Sequence, residues 1–147
     1  MTDQLELATL HRIGKPQKRE RHTFDFVVNG LSLFKATKAL RSDLCGSLSN
    51  PQFEREVALR VNARITAMLT SDVPIAGHRV PLFVCPECGD LGCGAITALA
   101  SRTDLGVRWS DFAYENGFDF TSRIDLVGSF EFEWAAYLAE IKRSDVN

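Results

Sequence analysis

A chain of 147 residues with 45% apolar and 24% charged side chains has the size and composition of one globular domain, which argues against a second domain and against wholesale disorder. Seventeen basic and nineteen acidic residues leave a net charge of -2, which speaks against a protein that coats DNA through many phosphate contacts. No apolar run approaches the ~18 residues of a membrane span, and the start, Met1-Thr-Asp-Gln-Leu-Glu6, has no basic stretch ahead of an apolar core, so the expectation is a cytoplasmic protein with no membrane partner.

The charge is unevenly placed. Residues 1–41 hold eight basic and four acidic side chains, whereas the remainder holds nine and fifteen. The basic part is concentrated between Arg12 and Arg21, with Gly14 and Pro16 inside it, so residues 1–21 read as a solvated basic arm or loop ahead of a single α+β domain at 22–147. An arm that binds RNA or an acidic partner is the functional alternative; it lacks interleaved aromatics. Thr23-Phe-Asp-Phe-Val-Val28, Asn29-Gly30 and Leu31-Ser-Leu-Phe-Lys35 form a hairpin signal, with strands expected at about 22–28 and 31–37.

Asn50-Pro51 predicts a helix start, since Asn caps free amides and Pro suits the first helical position. Phe53, Val57, Val61, Ile65 and Met68 make one apolar stripe, giving a helix over about 51–70 that ends before Pro74. Glu56 and Arg60 have the order of an i,i+4 pair within it. Strands are expected at 80–85, 95–100 and 106–112, antiparallel because their connections are short. Phe130 and Phe132 alternate as a short strand, and Trp134, Tyr137, Leu138 and Ile141 form the inward face of a last helix at 133–142. The predicted fold is α+β: an antiparallel sheet of about five strands, two hairpins plus one, with two main helices on one face.

Chemistry concentrates in Val84-Cys85-Pro-Glu-Cys88-Gly-Asp-Leu-Gly-Cys93-Gly94. Cys-Pro-x-Cys-Gly has the form of a zinc knuckle: a two-residue spacer curls the backbone so that two thiolates converge about 2.3 Å from one metal. Proline stiffens the spacer, and the following glycine permits a turn whose amides point at sulfur. Cys93 supplies a third ligand. The candidate metal set is therefore Cys85, Cys88, Cys93 and, as fourth ligand, His78, with Zn2+ as the candidate cofactor. An extended chain would put His78 roughly 20 Å from Cys85, so the strand would have to fold back; Asp90 and Cys45 are the other candidates. Two readings compete with metal. One is a redox-active dithiol, although the motif follows a strand and opens no helix. The other is three reduced thiols packed as small apolar groups in a Gly-rich hairpin.

Gly89, Gly92 and Gly94 do not make a phosphate loop, because their order is G-x-x-G-x-G and a strand follows. No G-x-S-x-G or H-E-x-x-H is present. A Cys–His nucleophile from Cys85 or Cys88 with His78 stays open, since the partners need only meet in space. Trp109-Ser-Asp-Phe-Ala-Tyr114-Glu-Asn-Gly-Phe-Asp119-Phe120 mixes aromatics with carboxylates. Its plain reading is core aromatics and polar strand positions; its functional reading is a partner-binding patch of Trp109, Asp111, Tyr114, Glu115 and Asp119.

The segment Leu82–Ala95, then Trp109–Asn116, then Phe130-Glu-Phe and the Tyr137 helix, resembles a family of small, uncharacterised bacterial proteins. That family carries V-C-x-x-C-G-D-x-G-C-G-A in the same order. The likeness spans about residues 80–142 and implies that the cysteine loop and the aromatic segment belong to one unit; it implies no activity. The expected function is non-enzymatic protein binding, with an immunity-type role against a basic toxin as its specific form, the acidic body facing the partner. A thiol- or zinc-dependent enzyme using Cys85, Cys88 and Cys93 is the alternative, and a nucleic-acid-associated protein using the basic arm is the second.

Overall fold

The computed structural model describes residues 2–54, 63–88, 93–117 and 121–144. They form the expected α+β architecture, with antiparallel sheets and the longer helices α2 (Ala63–Thr70) and α3 (Trp134–Lys142). Nine strands, among the described residues, fall into two sheets.

The first sheet starts earlier in the chain than its sequence suggests. Strand β1 (Leu5–Arg12) pairs along its whole length with β2 (Arg21–Val28), from Leu5 opposite Val28 to Arg12 opposite Arg21. The reading of residues 1–21 as a solvated arm is corrected accordingly: most of that segment is a strand and the turn of its hairpin. Only Leu7 of β1 is fully buried, so the strand is held by its hydrogen-bond ladder and carries little apolar signal.

Asn29 and Gly30 take φ values of 52° and 81°, the positive pair of a type I′ turn, and lead into β3 (Leu31–Ser32). The strand expected at 31–37 stops after two residues. Asp25, buried on β2, accepts from Ser32 Oγ at 2.6 Å and from Phe34 N at 3.0 Å, while Ser32 Oγ accepts from Lys35 N at 3.2 Å. These capping bonds start a one-turn helix, α1 (Leu33–Ala36), and override the alternating apolar pattern.

The second sheet runs β4 (Cys45–Gly46), β5 (His78–Val84), β6 (Ala95–Arg102), β7 (Gly106–Glu115), β8 (Thr121–Arg123), with β9 (Phe130–Glu133) on the first half of β7. Strands β5, β6, β7 and β9 and helix α3 lie where the sequence placed them. Helix α2 covers the last part of the expected 51–70 helix. At residues 51–54 the chain makes a turn, with Asn50 Oδ1 accepting from Gln52 N at 3.0 Å. Phe53 is exposed at 56%, against its expected place on the inward stripe, while Ile65 is buried; Val57, Val61, Glu56 and Arg60 lie outside the described residues.

The two sheets meet along residues 45–50. Cys45 and Gly46 pair with Val84 and Phe83 of the second sheet. A few residues on, Leu48 O accepts from Phe24 N, and Asn50 N donates to His22 O of the first. Gly46 faces the Phe24 backbone so closely that a Cβ would stand 2.0 Å from its carbonyl oxygen. Behind this strap, Trp109 is fully buried at the centre of an aromatic cluster. Its ring lies edge-on to Phe26 at 5.6 Å, Phe132 at 5.0 Å and Tyr137 at 5.9 Å, joining both sheets and α3. A bulge in β7, where Asp111 has φ 48° and the pairing to β6 slips, lets Trp109 and Phe112 point inward although they are three residues apart.

Gly46→Ala is expected to cost about 3 kcal/mol in urea unfolding, since the carbonyl it meets is backbone and cannot step aside. Gly30→Ala, with no atom within 4 Å of the new Cβ and only φ +81° against it, is expected to cost about 1 kcal/mol. Equal losses in the two variants would contradict the close contact between the sheets.

Candidate metal centre

The loop at 85–94 is the tip of the β5–β6 hairpin, closed by Val84 opposite Ala95. Residues 86–88 turn back on themselves, and the sulfurs of Cys85, Cys88 and Cys93 converge to within 4.8 Å of one another. Cys88 and Cys93 Sγ are 3.1 Å apart. A tetrahedral metal with ~2.3 Å bonds would hold its sulfurs about 3.8 Å apart, so three thiolates close on one ion after sub-ångström adjustments. Cys85 is half-buried and the other two are exposed. Three cysteines able to hold a metal are thus shown by their geometry.

The sulfur of Cys85 has the setting of an anion. Burial alone would raise its pKa, but the backbone N–H groups of Cys88 and Glu87, together with the Cys88 and Cys93 thiols, hydrogen-bond to it and bring the pKa below the ordinary thiol value. Cys93 is pushed up to about 11 by its hydrogen bond with Cys88 and by the charge that sulfur carries. Without a cation, therefore, Cys85 ionises below the ordinary thiol range, and its charge opposes ionisation of Cys93. Gly94, which follows Cys93, takes φ +114°, and the Tyr114 hydroxyl packs against it where a Cβ would come within 2.6 Å. That contact ties β7 to the far end of the loop.

The fourth position is where expectation and structure part. His78 begins β5 and Cys85 follows its other end, about 20 Å away at ~3.3 Å per residue. The strand does not fold back: it is paired with β6 from His78 to Val84 with one bulge between Pro81 and Phe83, and His78 Nε2 bonds to Met68 O at 3.0 Å. His78 is therefore withdrawn both as a metal ligand and as a partner for a Cys85 or Cys88 nucleophile. Cys45, opposite Val84, is buried, and burial pushes its thiol up to about 12. Its sulfur is not among the three that converge. Asp90 lies outside the described residues.

The sequence missed what surrounds the loop. Arg12 Nη1 donates to Glu87 Oε1 at 3.0 Å, Arg19 N donates to the same oxygen at 3.1 Å, and Arg21 Nε donates to Pro86 O at 2.8 Å. The basic hairpin of the first sheet is thus fastened onto the cysteine turn of the second. Arg12 is also bidentate on Asp43, at 3.2 and 2.7 Å, and this holds the Asp43 carboxyl below its usual range. Between hairpin and turn lies a cavity of about 220 Å3, lined in part by Arg19, Arg21, Cys45, Cys85 and Cys88. The concentration of arginines at 12–21 was the only sequence signal for this contact.

The expected partner-binding patch is broken up. Trp109 is fully buried, so it is corrected from surface anchor to core residue: the bulge in β7 turns it inward. Asp111 is exposed and paired with Arg123 Nη1 at 3.2 Å. Glu115 accepts from Arg79 Nε at 3.3 Å and from Thr97 Oγ1, and Tyr114 leans on Gly94. Asp119 lies outside the described residues.

In reduced, metal-free protein, iodoacetamide is expected to modify Cys85 with a pH midpoint below the ordinary thiol value, and Cys93 with a midpoint near 11. Cys45 should stay unmodified until the protein unfolds. Peptide mass spectrometry across pH 6–11 reads all three; a Cys93 midpoint below that of Cys85 would contradict the described charge distribution.

Comparison with protein-family models, curated proteins and solved structures finds no match to this chain.

Proposed function

We propose that this chain is a non-enzymatic, protein-binding module in which Cys85, Cys88 and Cys93 hold a structural Zn2+. The observation that carries the metal half of the proposal is the convergence of three sulfurs within 4.8 Å, with two backbone amides aimed at Cys85. Thiolate is a soft donor and suits zinc, whereas calcium and magnesium take oxygen ligands. Zinc would keep the thiols deprotonated and draw the cysteine turn into one shape. That turn receives three hydrogen bonds from the β1–β2 hairpin, so a metal holding it would brace the contact between the two sheets.

The binding half rests on the outward side of β7, where Asp111 is exposed and Glu115 half-buried; strand alternation sends Tyr114 to the opposite face, against the core. A basic partner, such as a toxin met by an immunity-type protein, would compete there with Arg79 and Arg123 for the carboxylates. A second reading, thiol- or zinc-dependent chemistry, is favoured by the cavity of about 220 Å3 beside Cys85 and Cys88, whose arginines suit a small anionic substrate. The nucleic-acid reading draws little from the structure, since Arg12 and Arg21 are committed to Asp43, Glu87, Pro86 O and Glu54.

Native mass spectrometry of protein purified without added metal is expected to find zinc at the cysteine loop, lost in Cys85→Ser and Cys88→Ser. At zinc concentrations of ~100–1,000 times Kd, chelation should remove about 3–4 kcal/mol of stability, a drop in Tm of roughly 10 °C. Grossly substoichiometric zinc, or a Tm indifferent to chelator, would overturn the proposal. Folded cysteine variants that keep their stability but lose a measured turnover would favour the chemical reading.

A further inference from the structure

A second convergence of ligands lies on the first sheet, outside the cysteine loop. His11 and His22 are directly opposed in the β1–β2 ladder, between Leu10 opposite Thr23 and Arg12 opposite Arg21. Their rings stack with centroids 4.4 Å apart and planes 9° from parallel. Glu20 reaches across the hairpin so that one oxygen, Oε2, lies 2.5 Å from His11 Nε2 and 3.8 Å from His22 Nε2. Ligand atoms of all three residues fall within 4.8 Å of one another. We propose that His11, Glu20 and His22 form a surface site for a divalent transition-metal ion, with coordination positions left for water or an outside ligand.

The arrangement has the properties such a site needs. Two imidazole nitrogens and one carboxylate oxygen suit Zn2+, Ni2+, Cu2+ or Co2+, whereas the all-oxygen shells of Ca2+ and Mg2+ would find only one ligand residue here. Metal bonds of ~2.0–2.1 Å would set the donors about 3.3 Å apart, which needs a rotation of Glu20, whose side chain is 52% exposed, and a turn of one imidazole out of the stack, because the in-plane lone pairs of near-parallel rings do not meet on one ion. The backbones that carry the two histidines are held in place beforehand. His22 N donates to Glu54 Oε1 at 2.9 Å, its carbonyl accepts from Asn50 N, and the Phe53 ring packs against its imidazole at 4.7 Å. His11 is placed by a ladder whose register continues to both ends of β1. A bare histidine–carboxylate contact would need one imidazole; the second brings its Nε2 to 3.8 Å from the same oxygen, within reach of a shared ion once its ring turns.

The chain has three histidines, and the third supplies an internal control. His78 is bonded to Met68 O and should not respond to metal at the first sheet. With the full-length, reduced protein first brought to one equivalent of Zn2+, further Zn2+ is expected to shift the ring signals of His11 and His22 together in 1H–13C NMR and leave His78 in place. His11→Gln and His22→Gln should each weaken this binding step at least about tenfold in calorimetry and keep the Tm of the metal-free protein. Glu20→Gln should weaken it less, since an amide oxygen remains. Shifts of His78 alone, or binding equal in wild type and both histidine variants, would overturn the assignment. The readout is independent of the cysteine loop, because ring carbons of His11 and His22 report only on their own site.

Discussion

The fold depends on how two small sheets are kept in contact. The first could bury little alone: it has two long strands and a two-residue third, and much of its inward surface is Phe24, Phe26 and Val28. The contact is made by Trp109, which touches Phe26 on one side and Phe132 and Tyr137 on the other, so one indole spans both sheets and the final helix. Such aromatic pairs contribute roughly 0.5–1.5 kcal/mol each beyond burial of their area. The strap at 45–50 completes the join through backbone bonds, and Gly46 is what lets it lie against Phe24.

The second attachment between the sheets is polar, and it gives the uneven charge a purpose. Arg12 and Arg21 reach the cysteine turn with their guanidinium groups, at Glu87 and Pro86 O, and Arg19 reaches Glu87 with its backbone N–H, while Arg12 also clamps Asp43. Surface ion pairs usually contribute little, because solvent screens them and side-chain entropy opposes them. Arg12 and Arg21 differ in that their side chains are only 12% exposed and their bonds converge on one turn. What looked like a loose basic tail is an internal fastening.

Legibility followed the strength of local physical signals. Strands β5, β6 and β7 and helix α3 were readable because their apolar periodicity extends over several residues and turn residues separate them. Strand β1 was not, since it buries one side chain fully and its pairing partner supplies the order. At Ser32–Leu33 a buried carboxylate across the hairpin turn decided between strand and helix, and an alternating apolar pattern carries no sign of that bond. For the site, a two-residue spacer constrains two sulfurs on its own, so Cys85 and Cys88 were legible, and Cys93 came with the closed hairpin. His78 failed because the same strand that leads into the loop holds it at the opposite end. His11, Glu20 and His22 convey nothing by spacing; only the register of a hairpin sets them face to face.

Charge balance connects the cysteine turn with the hairpin that covers it. Three thiolates around a divalent cation leave one net negative charge, and the amides of Glu87 and Cys88 that solvate Cys85 cannot neutralise it. Arg19 and Arg21 line the cavity beside those sulfurs, and the positive charges of Arg21 and Arg12 reach as far as the Cys45 thiol, favouring its anion against the opposing effect of burial. Arg12 and Arg21 are, however, already paired with Asp43, Glu87 and Glu54, and what favours the anion at Cys85 is hydrogen bonding within the turn rather than a guanidinium. The arginines serve the brace and the chemical reading alike, and metal removal distinguishes them by whether the contact between the sheets loosens with it.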